Sequence, residues 1–150
     1  MKIGEKAPDF LGYNEKGEEI LLSHYKGHKL ILYFYPKDNT PGCTAEACSL
    51  RDHYESLRQK GYKIVGVSMD TSASHQKFIA KHQLPFPLIA DTERKLVEAF
   101  GVWGEKKMCG RTYMGLLRTT FLLNEDGIVE KIIGPKKIQT KEHGAQLLEM

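Results

Sequence analysis

The sequence predicts an α/β fold: a mixed central sheet flanked by helices on both faces, with an N-terminal hairpin extension. Three observations carry this reading. Lys29–Tyr35 (Lys-Leu-Ile-Leu-Tyr-Phe-Tyr) is an apolar, aromatic-rich run of the kind that forms a buried strand. A second β-rich run, Tyr62–Ser68, follows after one helical stretch, so the order strand–helix–strand–helix calls for parallel pairing through crossovers. Leu117–Asn124 and Gly127–Ile133 then alternate well enough to form a hairpin across Asn124-Glu-Asp-Gly127, which adds antiparallel strands.

Taken in order, Asp9–Tyr13 and Glu19–Leu22 are short extended pieces joined by a turn at Asn14-Glu-Lys-Gly17. After the strand at 29–35, Pro36, Pro41 and Gly42 break regular structure. Ala45, Ala47, Leu50, Tyr54 and Leu57 then recur at helical spacing, which predicts a helix over Thr44–Lys60 with Gly61 as its C-cap. Ser72–His82 reads as a second helix capped by Ser72 or Ser74. Pro85–Ala90 reads as a short strand, Thr92–Phe100 as a helix capped by Asp91 or Thr92, and Lys141–Met150 as a closing helix. No repeat or linker divides the chain, so residues 1–150 are expected to form a single domain.

Hydrophobic content of 41% and charged content of 27% are ordinary for a soluble globular protein. A formal net charge of +3, with basic and acidic residues interspersed, gives no stripe for nucleic acid. Glu105, Lys106 and Lys107, and Lys136 with Lys137, read as solvated loops. The N-terminus lacks a signal peptide's apolar core, and no run reaches the ~18 apolar residues that span a bilayer. Three cysteines, an odd number, favour reduced thiols in a cytoplasmic setting over a disulfide scaffold.

The chemistry concentrates at Cys43, where the loop after the first long strand meets a helix. A thiol there sits at the positive end of a helix dipole, which favours its thiolate. Bringing an ordinary thiol from a pKa of about 8.5 down to about 6 needs about 3.4 kcal/mol, while a helix N-terminus supplies ~0.3–1 kcal/mol. A cation or several directed hydrogen bonds must therefore supply the rest. Lys37 is near but flexible; Thr40 is better placed as a hydroxyl partner. Arg118, a polar residue entering the apolar Arg-Thr-Thr-Phe-Leu-Leu segment, is the expected cation. With the backbone amides of Gly42 and Cys43, these groups would suit a small molecule whose oxygen–oxygen bond is cleaved. The second sulfur, Cys48, lies five residues on. In an unbroken helix that spacing puts the two Cα atoms about 8.7 Å apart, beyond the ~7 Å reach of a disulfide. The expected cycle is thus sulfenic acid on Cys43, local unwinding, then condensation with Cys48.

Pro36-x-x-x-Thr40-x-x-Cys43 resembles the active-site motif of the peroxiredoxins. The run from Phe34 to Cys48, with Arg51-Asp52 after it, is similar to the bacterioferritin-comigratory-protein, or Q-type, subfamily, as are Val102-Trp-Gly-Glu-Lys-Lys107 and Arg118-Thr-Thr-Phe121. The resemblance covers nearly the whole chain. It implies a thioredoxin-like fold and reduction of hydrogen peroxide and organic hydroperoxides. It also implies that Cys43 is peroxidatic and Cys48 resolving, with Pro36, Thr40 and Arg118 around the peroxide. Thioredoxin or a similar dithiol is the implied reductant, no metal or bound cofactor is needed, and the implied state is a monomer.

Other readings accompany these. Cys109 reads as incidental, although it departs from the subfamily pattern, and Asp70 reads as a turn residue. Trp103 and the tyrosines read as packing residues, and the six histidines show no metal-ligand spacing. A protein thiol–disulfide carrier would share the fold, but its chemistry favours Cys-x-x-Cys at the helix start, which is absent. A non-catalytic redox switch using the same pair is the third possibility.

Overall fold

The structure, a computed structural model, describes residues 1–150. The chain opens with an antiparallel pair, β1 (Phe10–Tyr13) and β2 (Glu19–Leu21). It continues through β3 (Lys29–Phe34), α1 (Pro41–Asp52), α2 (Tyr54–Gln59), β4 (Tyr62–Ser68), α3 (Ser72–His82), β5 (Leu88–Ala90) and α4 (Lys95–Ala99). A hairpin of β6 (Trp103–Met108) and β7 (Arg111–Leu116) follows, then β8 (Thr119–Leu123), β9 (Val129–Ile133) and α5 (His143–Leu148).

The central sheet has the order β5-β4-β3-β8-β9. β3, β4 and β5 are parallel, and β8 and β9 join antiparallel, so the sheet is mixed as its sequence order requires. All six residues of β3 except Lys29 are buried, which is what a middle strand covered on both faces demands. Its alternate residues point to two cores. Leu30, Leu32 and Phe34 face Leu11 and Ile20 of the N-terminal hairpin and Leu96 and Val97 of α4. Ile31 and Tyr33 face Ala47 and Leu50 of α1, Leu57 of α2, Phe78 of α3 and Leu147 of α5. Helices therefore cover both faces, unequally. No helix is long and apolar enough to cross a membrane.

Several elements differ from the sequence expectation, each for a local reason. The helix expected over 44–60 begins earlier, because Pro41 occupies the first helical position, where its missing N–H has no cost. It also breaks at His53 (φ −104°, ψ 8°), whose Nδ1 lies 2.8 Å from the Ser49 carbonyl within the helix's own ladder. The helix expected over 92–100 shortens to Lys95–Ala99, because 92–94 form a turn. Asp91 still caps it, its carboxylate accepting from the amides of Leu96 at 3.1 Å and Val97 at 2.8 Å. The closing helix spans only His143–Leu148, after a short 3-10 turn at Thr140–Glu142.

The reading of Glu105–Lys107 as a solvated loop was incorrect, since these residues belong to β6. Most residues of this hairpin stay exposed, so no apolar alternation marks it. Its two-residue turn places Cys109 at φ 50° and Gly110 at φ 78°, a turn usually signalled by Asn-Gly.

Candidate active site

β3 ends with Tyr33 and Phe34, followed by Tyr35, all wholly buried, and Pro36 turns the chain out of the sheet. The loop through Asn39 (φ 61°) leads to Thr40, the residue before the first turn of α1. This delivers Cys43 to the third helical position, where the first amides of the helix have no intrahelical partner. Cys43 is 1% exposed and packs on its inner side against the core that includes Tyr33 and Tyr35.

The sulfur has a cationic partner. Arg118 Nη2 donates to Cys43 Sγ at 3.3 Å, and its Nη1 donates to Glu46 Oε1 at 2.6 Å. Arg118 precedes β8, which pairs with β3, so the sheet itself brings the guanidinium to the helix start. Gly42 makes the approach possible: a Cβ there would stand 3.2 Å from Arg118 Nη2. Burial lowers the guanidinium's proton affinity, but Glu46 and Cys43 raise it further, so it remains charged.

Glu46 was not among the residues read from the sequence. It lies three residues after Cys43, hence on the same helix face, and its side chain is 0% exposed. Burial pushes its carboxyl up to about 7, against the opposing pull of Arg118. Its second oxygen, Oε2, has no hydrogen-bond partner and stands 3.7 Å from His143 Nε2. His143 is itself buried, 2.8 Å from Thr120 Oγ1 and 3.1 Å from Gln146 Oε1, and burial lowers its proton affinity. An acidic residue at a spacing that should be apolar, between Cys43 and Ala47, was the available signal. A second missed neighbour is Lys106 of β6. It donates to the Leu116 carbonyl at 3.0 Å; burial lowers its proton affinity most, Arg118 lowers it further, and Cys43 opposes both.

Thr40 takes a different partner from the one expected: its hydroxyl donates to the Lys37 carbonyl at 2.8 Å rather than to the sulfur. The hydroxyl hydrogen is thereby used, leaving the oxygen free to accept. Pro36 is half-buried at the start of the same loop. Cys48 lies on α1 with Cys43 and is half-buried on a different side. Its Sγ is 3.8 Å from His82 Nδ1 of α3. Both cysteines carry free thiols within one unbroken helix, where five-residue spacing puts Cα atoms about 8.7 Å apart. Cys109 is exposed at the far turn of the β6–β7 hairpin. Asp70, read as a turn residue, accepts from the Asp38 amide at 2.8 Å and from Ser68 Oγ at 2.6 Å, tying the cysteine loop to the end of β4.

A buried cysteine at a helix start, bonded to a partly buried arginine on a mixed sheet of this topology, defines a thiol-based oxidoreductase of thioredoxin-like fold. Comparison with known proteins is specific about which. Residues 3–132 match the AhpC/TSA family. The chain is 48% identical over 149 residues to peroxiredoxin Bcp of Bacillus subtilis, covering 99% of this chain and 94% of that protein. It superposes on a peroxiredoxin Q of Xanthomonas campestris with a TM-score of 0.84 at 37% identity, covering 91% and 86% of the two chains. A PrxQ of Xylella fastidiosa gives a TM-score of 0.89 at 31% identity, covering 99% and 94%. The chain belongs to the AhpC/TSA family and is a peroxiredoxin of the Bcp, or Q, type, a peroxidase by class.

Proposed function

We propose that the protein reduces hydrogen peroxide and organic hydroperoxides through Cys43, and that Cys48 resolves the product to an intramolecular disulfide. The observation that supports this most is the Arg118 guanidinium bonded to Cys43 Sγ at 3.3 Å. The cation stabilises the thiolate, and a charge-assisted donor of this kind also stabilises the oxygen that departs. In the first step the Cys43 thiolate attacks the hydroperoxide's hydroxyl oxygen. An S–O bond forms, the O–O bond breaks, and the leaving alkoxide takes a proton from solvent to become an alcohol, or water when the substrate is hydrogen peroxide. Sulfur is oxidised by two electrons to the sulfenic acid. Thr40, whose own hydrogen is engaged with Lys37, offers an oxygen to accept the hydroperoxide's O–H. Pro36 closes the pocket at the loop's start.

In the second step the Cys48 thiol, losing its proton, attacks the sulfenic sulfur; the S–O bond breaks and the departing hydroxide takes up a proton to leave as water, forming the disulfide. Both sulfurs belong to α1, so its first turns must unwind, and no second copy of the chain is required. A dithiol reductant such as thioredoxin then returns both thiols, in a compartment that keeps thiols reduced; we place the protein in the cytoplasm. No metal or bound cofactor enters the cycle.

The test is peroxide consumption coupled to a thioredoxin system, for the parent, Cys43→Ser and Cys48→Ser. Cys43→Ser is expected to abolish turnover, and Cys48→Ser to abolish thioredoxin-linked turnover while sparing the first oxidation. Peroxide loss no faster than with free thiol would remove the proposal. Full thioredoxin-linked turnover by Cys48→Ser would remove its second step.

A further inference from the structure

Behind the cysteine loop lies a polar cluster that the reaction above does not use. Asp38, in the loop, is 5% exposed, and His75, on α3, is 0% exposed. Asp38 Oδ2 is 2.7 Å from His75 Nδ1 and accepts from Ser74 Oγ at 2.8 Å, while Oδ1 accepts from Tyr35 Oη at 2.6 Å. On its other side, His75 Nε2 lies 2.9 Å from the Ile89 carbonyl oxygen of β5. Both ring nitrogens therefore face oxygen atoms, so the ring is held from two sides. Burial would raise the Asp38 carboxyl, but the bonds from His75, Tyr35 and Ser74 outweigh it and hold it below the ordinary carboxylate range. The pair is thus a buried carboxylate hydrogen-bonded to a buried histidine ring.

The surrounding groups close the cluster. Asp38, Asp70 and His75 bring ligand atoms within 4.8 Å of one another, as a metal site would. However, both Asp38 oxygens and Asp70 Oδ2 already accept from protein N–H and O–H donors, including the Asp38 amide and Ser68. The cluster is saturated by the protein itself. What it does hold is the loop: Asp38 is tied to the ends of β3 and β4 and to the first turns of α3.

We propose that the buried Asp38–His75 contact is a clamp that sets where unwinding of α1 stops. Cys43 and Cys48 can meet only if the first turns of α1 open, and the opening must not spread into Pro36–Thr40, which shapes the peroxide pocket. Removing the histidine leaves the buried Asp38 carboxylate short of a donor, and removing the carboxylate leaves the buried ring short of a partner; either is costly. The clamp therefore makes the loop costly to open, beside a helix start whose cross-fold ties include those of Arg118 to Cys43 and Glu46. Asp38 and His75 are positioning residues; neither touches the sulfur. The inference rests on the unwinding step of the proposed cycle.

Amide hydrogen exchange in the reduced protein tests it without turnover. The amide of residue 38, bonded to Asp70 Oδ2, reports the loop; the amides of 44–48 report the helix start. In the parent, 44–48 should exchange through a lower-energy opening than residue 38. Asp38→Asn and His75→Gln should each accelerate exchange at residue 38 by roughly tenfold or more, leaving β3 and β4 amides much less affected. The double variant should be no worse than the more severe single, because both remove the same interaction. Ser74→Ala, which removes one hydroxyl bond and keeps the pair, should give a smaller acceleration at the same amide. Joint exchange of 38 and 44–48 in the parent would overturn the clamp. So would an equal acceleration of all core amides in the variants, or additive effects in the double. Peroxide oxidation of the parent, measured in parallel, judges the peroxidase reading separately, since the exchange boundary does not depend on it.

Discussion

Arg118→Met removes the guanidinium while keeping much of the side chain's length and apolar body. At 3.3 Å from the sulfur and with its side chain 18% exposed, the guanidinium makes a charge-assisted bond in a partly desolvated setting. Coulomb's law at an effective dielectric of about 20 gives about 5 kcal/mol at this separation before desolvation of the two ions is counted. Hydrogen bonds to charged groups contribute about 1.5–3 kcal/mol net, and that lower range is the better guide. A loss of about 2 kcal/mol corresponds to roughly thirtyfold in rate. The variant also leaves Glu46, 0% exposed, without its only hydrogen-bonding partner, so its carboxyl should take up a proton near neutral pH. Stopped-flow oxidation by hydrogen peroxide should show the second-order rate constant falling roughly tenfold to a hundredfold. Alkylation of Cys43 by iodoacetamide should likewise slow relative to the parent. Oxidation within about twofold of the parent, with an unchanged alkylation rate, would refute the reasoning.

Other perturbations test the surroundings. Because the folded-state carboxyl of Glu46 is raised to about 7 from 4.5, the folded protein binds that proton more tightly than the unfolded chain does. Stability should therefore decline as pH rises from about 4.5 to about 7, by at most about 3 kcal/mol, and Glu46→Gln should flatten that slope in denaturant titrations. Asp38 acts with the opposite sign: its carboxyl is lowered, so its contribution is present above 3.8 and is lost as pH falls through its folded-state value. Gly144→Ala would place a Cβ 2.6 Å from the Ser49 carbonyl oxygen of α1 and from His53 Nδ1, so α5 must shift. Thermal denaturation should show a loss of about 1–3 kcal/mol, as overpacking gives. Cys109→Ser, at an exposed turn, should leave peroxide turnover unchanged in the coupled assay.

The parts of the fold that the sequence made legible are those where periodicity and burial agree. β3, β4 and β8 each bury most of their length, so β-rich apolar runs mark them. α3 begins and ends where its pattern does, although Thr71, accepting from the Ser74 amide, caps it rather than Ser72 or Ser74. The β6–β7 hairpin escaped because its strands are mostly solvent-facing and its turn uses Cys109-Gly110. At the site, Arg118 could be singled out as a cation entering an apolar strand, and the guanidinium lies against the sulfur. Glu46, Asp38, His75 and His143 were not legible, because each is a polar residue made internal by a partner distant in the chain. Arg118 lies 72 residues from Glu46, and His75 lies 37 from Asp38. No local pattern encodes such pairings. Thr40 shows the same limit at short range: its place in the motif was plain, but the choice of the Lys37 carbonyl over the sulfur depends on how the loop turns at Asn39.

The central claim is that Cys43 alone reacts with peroxide and that Cys48 reaches it only after α1 opens. Peptide mass spectrometry after one equivalent of hydrogen peroxide tests it directly, with dimedone present to trap sulfenic acid. The account predicts a Cys43–Cys48 disulfide in the parent and a dimedone adduct on Cys43 in Cys48→Ser. An adduct on Cys48 or Cys109 with Cys43 still a free thiol would contradict it.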